Sequence, residues 1–243
     1  MATYIIHPIA LGEGIRDCSQ YTYRMNFGTT CKAACYIWYL EGSQPKTIVD
    51  AGATAAMFRE RGMVQEDYIS AEEGLNKLGL KPDDIEIVVV SHLHWDHMAL
   101  SHLYKKAKFI VQKKELDYAL NPHPLDKASF DRSMFEDLNF EVVDGEKEIL
   151  PGVTVFLTPG HTPGGQSVEI NTAAGKAIIT GFCYAFSTFT QNETMKHKGW
   201  EVPVPLVHQD VRDVYDSVLE VRRRADIFLG LHDPAFVGRE TIP

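Results

Sequence analysis

The stretch VVVSHLHWDHMA, residues 88–99, places three histidines and an aspartate within six positions, directly after a run of β-branched residues. IEIVVVS (85–91) reads as a buried strand, because Val and Ile crowd a helix but pack well on a pleated surface. His92, Leu93, His94, Trp95, Asp96 and His97 are expected as a loop at the C-terminal end of that strand, where sites are commonly built. Packing gives no reason to crowd imidazoles, which lose hydration on burial and repel one another when protonated. Zn2+ gives a reason, since neutral imidazole and carboxylate are its ordinary ligands; iron or manganese would use the same donors. His92 and His94 can aim at one ion, and Asp96 and His97, past a bend, at a second. One or two metals per chain are therefore expected.

Elsewhere short apolar runs alternate with longer amphipathic stretches, an α/β pattern. Strands are expected at 4–11, 33–40, 46–50, 108–112, 140–144, 153–158, 166–170, 176–180 and 226–231, besides 85–91. Helices are expected at 54–61, 70–80, 113–120 and 209–225; Ser70 with Glu73 three residues on is a capping pair. The last helix puts Val211, Val214, Val218 and Val221 on one face and Arg222, Arg223 and Arg224 in its final turn, where cations suit the dipole. Few strands alternate regularly with helices and turns join many of the later ones, so mixed sheets packed face to face and covered by helices fit better than a doubly wound sheet. A single domain over 1–243 is expected at this length.

The formal charge is −9 without any block of Lys and Arg, which excludes an electrostatic footprint for nucleic acid. No apolar run reaches the roughly 20 residues that span a bilayer, and the first residues do not read as a secretory signal. Cys18, Cys31, Cys35 and Cys183 are too few and scattered for a disulfide framework, so a cytoplasmic protein with reduced thiols is expected.

HLHWDH resembles the HxHxDH signature of the metallo-β-lactamase superfamily. The resemblance extends to LTPGHTPGG, which supplies His161, to FLGLHDP, which supplies His232, and to the early turn IVDAG with Asp50. It implies an α/β (α+β) fold, the four-layer αββα sandwich of two mixed sheets flanked by helices. It also implies His92, His94 and His161 around one metal and Asp96, His97 and His232 around another, with Asp50 as an acceptor for a ligand histidine. The length, SHLHWDH and TPGHTPGG are most similar to the N-acyl homoserine lactonase-like branch. One departure stands out: the strand that normally ends in a metal-bridging aspartate reads AIITGFCYAF. The bridging position falls on Phe182, which cannot ligate, and Cys183 beside it offers a thiolate or else packs as a small apolar residue.

The chemistry so implied is hydrolysis of a small cyclic ester or related carbonyl compound, lactone first, with a thioesterase or a cyclic amide hydrolase as alternatives. Asp96 would act as ligand or as the base that positions water, and Tyr184 as proton donor to the leaving alkoxide. A nuclease, a diiron redox protein and a non-catalytic metal-binding protein fit the residues less well. Two aromatic-bearing stretches, 116–137 and 184–205, are expected to wall a pocket for a small molecule. The segment with Tyr21, Tyr23, Arg24 and Phe27 is placed to reach the site or the second subunit of a homodimer.

Overall fold

The computed structural model describes residues 2–182 and 191–243. Among these, seven strands form one sheet in the order β4-β1-β2-β3-β5-β6-β7: β1 (Ile5–Asp17), β2 (Thr30–Glu41), β3 (Thr47–Val49), β4 (Glu66–Asp67), β5 (Ile87–Val89), β6 (Lys108–Gln112) and β7 (Phe140–Val143). A second sheet runs β12-β11-β10-β9-β8, from β8 (Lys147–Leu150), β9 (Val153–Leu157), β10 (Gln166–Thr172), β11 (Gly175–Ile179) and β12 (Ile227–Leu229). Both sheets are mixed: β3, β5, β6 and β7 run parallel, β1 to β3 pair antiparallel, and β12 joins the second sheet parallel to β11.

The period-two pattern of β2 explains the layering. Ala34, Tyr36, Trp38 and Leu40 face the second sheet and meet Val155, Val168, Ile170 and Ile179, whereas Cys35, Ile37 and Tyr39 face the other way. That outer face is covered by α1 (Ala55–Glu60), α2 (Ala71–Lys77), α3 (Trp95–Met98) and α4 (Lys113–Ala119), through Phe58, Leu75, Met98 and Ala119. The second sheet is covered by α6 (Val211–Arg224), whose Val214, Val218 and Val221 pack on Phe156, Ile178 and Phe182; α5 (Glu193–Lys198) precedes it. Each buried Val or Ile contributes roughly 1.5–3 kcal/mol. The order helix, sheet, sheet, helix is the expected sandwich. No helix among the described residues is long and apolar enough to cross a membrane.

The departures from the sequence reading are local. HLHWDH is not wholly a loop, because Trp95–Met98 close one helical turn whose His97 carbonyl accepts from Ala51 N (2.8 Å) and Gly52 N (3.1 Å). The first strand continues to Asp17 through GEG, because β2 pairs with its whole length. β4 and β8 carry no apolar run to mark them, and α5 lies inside the stretch expected to be a wall. The Ser70–Glu73 capping box forms on α2.

Candidate metal centre

Among the described residues, each candidate follows the end of a strand. After β3 the chain turns at Asp50, whose φ of 58° lies in the left-handed region that aspartate tolerates better than most residues. β5 leads to Ser91, His92 and His94; the β9–β10 turn carries His161; β12 leads to His232. Gly160 makes the His161 turn possible, with φ 115° and a position where a Cβ would lie 2.1 Å from Val214 N on α6.

The six metal-ligand candidates within the described residues form two adjacent groups. His92, His94 and His161 bring one nitrogen each within 4.8 Å of one another, and so do the donor atoms of Asp96, His97 and His232. The groups touch, with the His92 and His97 ring centroids 4.2 Å apart. Asp96 Oδ2 lies 3.5 Å from His97 Nε2 and 3.6 Å from His232 Nε2.

The hydrogen bonds behind the rings fix their tautomers. His161 Nδ1 donates to Val207 O (2.7 Å), His232 Nδ1 to Ala34 O (2.9 Å) and His97 Nδ1 to Asp50 Oδ2 (2.7 Å). The Ser91 hydroxyl donates to the same Asp50 oxygen, so its oxygen accepts from His92 Nδ1 at 3.1 Å. Each ring thus gives up its one N–H and turns an Nε2 lone pair inward. His92 Nε2 and His161 Nε2 then face each other at 3.2 Å with no proton between them, and His97 Nε2 is buried with no hydrogen-bond partner among the described residues. Lone pairs so arranged repel unless a cation accepts them, so the donor set fits two borderline divalent metals, as the motif implied.

The ionisation of His92, His94, His161 and Asp96 agrees, and that of His97 does not. Burial holds the His161 imidazole down to about 4, and burial with the neighbouring histidines holds His92 and His94 well below the ordinary range. Burial would raise the Asp96 carboxyl, but His97 and His232 outweigh it and lower it to about 2. Burial would likewise lower His97, but Asp96 and Asp50 outweigh it and raise its pKa.

Phe182 is fully buried against α6, so the bridging position supplies no ligand from that residue. Cys183 and Tyr184 lie outside the described residues, as do Phe186 and Phe189. In the stretch 116–137, Phe130 packs its edge on the His94 ring at 4.7 Å and Ser129 lines the cavity, whereas Phe135 belongs to the core. Tyr21 also lines the cavity, and Tyr23 stacks on Trp200.

Two contributors escaped the sequence reading. Glu115, on α4 and fully buried, accepts from Leu93 N (2.8 Å) and Gly164 N (3.1 Å), and so ties the HLHWDH turn to the GHTPGG turn. A lone acid at the start of an amphipathic helix carries no signal of that role. Cys35 is a free, buried thiol directly beneath the site. Its thiol is 3.6 Å from Asp96 O, and burial pushes its pKa up to about 12, which keeps it neutral.

Comparison with known proteins follows the same lines. The family model described as metallo-beta-lactamase superfamily matches residues 32–181. N-acyl homoserine lactonase AttM of Rhizobium radiobacter is 31% identical over 190 residues, 70% of this chain and 72% of that protein. N-acyl homoserine lactonase AiiA of Bacillus thuringiensis subsp. kurstaki is 27% identical over 185 residues, 71% and 72% of the two chains. A crystal structure of a B. thuringiensis AiiA mutant with N-decanoyl-L-homoserine bound at the active site superposes with a TM-score of 0.75 at 25% identity, covering 96% of this chain and 94% of that one.

Proposed function

From the premise that this chain belongs to the metallo-beta-lactamase superfamily, in its N-acyl homoserine lactonase-like branch, we propose that it is a metal-dependent hydrolase that opens a small lactone. The observation that carries the reading is the convergence of five histidine nitrogens and the Asp96 carboxylate on two adjacent points. His92, His94 and His161 would hold one metal, and Asp96, His97 and His232 the other. When bound, the pair supplies Lewis acidity for the lactone carbonyl and lowers the pKa of water to near neutrality.

The chain's own residues do the rest. Asp50, Val207 O and Ala34 O orient the rings from behind, so the donor geometry is set before any ligand arrives. Asp96, held ionised down to about pH 2, is a poor proton acceptor at neutral pH, which supports a ligand role over that of base. His94 and Asp96 are the members of the set left partly open, on the cavity side, where a substrate would arrive. The cavity, about 170 Å³, suits a small ring better than a polymer. Kinship with proteins named N-acyl homoserine lactonases favours a lactone over a thioester.

The test is ring opening of N-hexanoyl-homoserine lactone by zinc-loaded protein, with lactoyl-glutathione as the thioester control. Turnover of the lactone that is abolished in His94→Ala is expected. Protein that carries at least one metal per chain yet opens no lactone would sink the reading, and a preference for lactoyl-glutathione would replace it with the thioesterase.

A further inference from the structure

Arg16, the last residue but one of β1, lines the same cavity as the histidine cluster and is only 9% exposed. Its guanidinium lies 5.3 Å from the Phe58 ring centroid, a contact that helps to fix its position. Nη1 donates to Ile15 O (2.9 Å) and Val64 O (2.8 Å), and Nη2 donates to Gln65 Oε1 (2.8 Å). All three acceptors are neutral. Two of the five N–H donors, Nε–H and one on Nη2, remain for another group.

No carboxylate among the described residues pairs with Arg16. The acids nearest in sequence are engaged elsewhere: Glu13 with Lys32, and Asp17 with the backbone N–H groups of Ser19 and Gly28. The segment 183–190, CYAFSTFT, contains no acid to supply one. An arginine cannot escape burial by giving up its proton, as lysine or histidine can, and a buried charge without a counter-charge is expensive. The cavity beside it is lined by the histidine cluster, whose donor set suits cations already. The hydrogen bonds and the Phe58 contact hold the guanidinium in place but leave its charge uncompensated, which an anion entering the cavity would correct.

We propose that Arg16 is a specificity-determining residue that binds a carboxylate carried by the substrate, so that the preferred lactone is a small acidic one. This rests on the lactone reading above and deepens it. A carboxylate takes two side-by-side N–H donors from a guanidinium, the number left over here, and such charge-assisted pairs are about twice as strong as neutral ones. A site with an unpaired buried donor also discriminates against analogues that lack the matching group.

The test compares γ-butyrolactone carrying a carboxylate on its γ carbon with the methyl ester of the same compound, at constant ionic strength. The wild type should favour the acid at least tenfold in kcat/KM. Arg16→Met should remove that preference, through a KM for the acid raised by about the same factor, and Arg16→Lys should keep an intermediate one, since it retains the charge without the planar pair. A wild type that hydrolyses the methyl ester as well as the acid overturns the proposal, and that result needs no variant to fold. Equal proportional losses on both compounds in Arg16→Met overturn it as well. Should neither lactone open, N-hexanoyl-homoserine lactone decides the lactone reading, and calorimetric binding of 2-hydroxyglutarate and 4-hydroxybutyrate to the zinc-loaded protein decides the role of Arg16 separately. Tighter binding of 2-hydroxyglutarate, by at least tenfold and lost in Arg16→Met, supports the anion site; equal binding in the wild type, or a difference that Arg16→Met retains, ends it.

Discussion

Asp50 Oδ2 lies 2.7 Å from His97 Nδ1, and the two side chains are buried together beneath the second candidate metal position. The same carboxylate accepts from Ser91 N and from the Ser91 hydroxyl, each at 2.7 Å, and Ser91 in turn fixes His92. One acid therefore sets the tautomers of a histidine in each group. Asp50→Asn keeps the size and tolerates the positive φ, but it presents an amide N–H where an acceptor is required. Zinc affinity at the second position should fall about 10–100-fold, while the fold is retained. Competition with a chromophoric chelator, alongside circular dichroism, measures both.

Glu115 joins the two turns that carry candidate ligands, and its removal should act on stability before it acts on chemistry. Glu115→Ala leaves the buried N–H groups of Leu93 and Gly164 without acceptors, at about 1–3 kcal/mol each. At about 2–4 °C per kcal/mol for a chain of this size, a drop of about 10 °C in the melting temperature is expected. Glu115→Gln retains one acceptor oxygen and should lose about half as much. Faster amide exchange at Leu93 and Gly164 would identify the cause, and unchanged exchange there would refute it.

Gly160 is a sharper case of the same dependence. At φ 115° with Val214 N 2.1 Å from the position of a Cβ, an alanine meets both backbone strain and a clash with helix α6. Strain of this kind costs about 1–3 kcal/mol before the clash is counted. Gly160→Ala should therefore destabilise the protein by about 3 kcal/mol or more and displace His161. Chemical denaturation and zinc stoichiometry together are the measurement; a variant of wild-type stability that binds two zinc ions contradicts this account of the turn.

How far the sequence carried can be read from the same residues. His92, His94 and His97 were legible because their crowding has no packing explanation, and His161 and His232 only through the resemblance of their turns to those of the superfamily. The two sheets were legible because Ala34 to Leu40 alternate faces and the Val repeat of α6 has a helical period. Glu115 was not legible, because its meaning is a pair of long-range backbone contacts and not a local pattern. β4, of two residues, exists only because Glu66 and Asp67 lie against Glu13 and Gly12 of β1. The role of Arg16 likewise depends on what surrounds it: in sequence it is one cation among 24, in the structure a buried one without a carboxylate partner among the described residues.

The histidine cluster also fixes how the metal-free protein responds to acid. Burial holds His161 at about 4 when folded, against an ordinary 6.5 that it regains on unfolding, and His92, His94 and His232 are shifted in the same direction. Between these limits the unfolded chain binds protons that the native state refuses, so stability falls as pH drops through this window. His161 alone contributes about 3 kcal/mol to that loss. His97, whose pKa is raised, works in the opposite direction, but it is one ring against four. Bound zinc requires the same neutral imidazoles and stabilises only the folded state, so it should move the decline to lower pH until protons displace it. Melting temperatures from pH 7 to pH 4, with and without zinc, test both points: a metal-free curve that falls by about 10 °C or more is expected, and a flat one would mean that the buried rings are not held neutral.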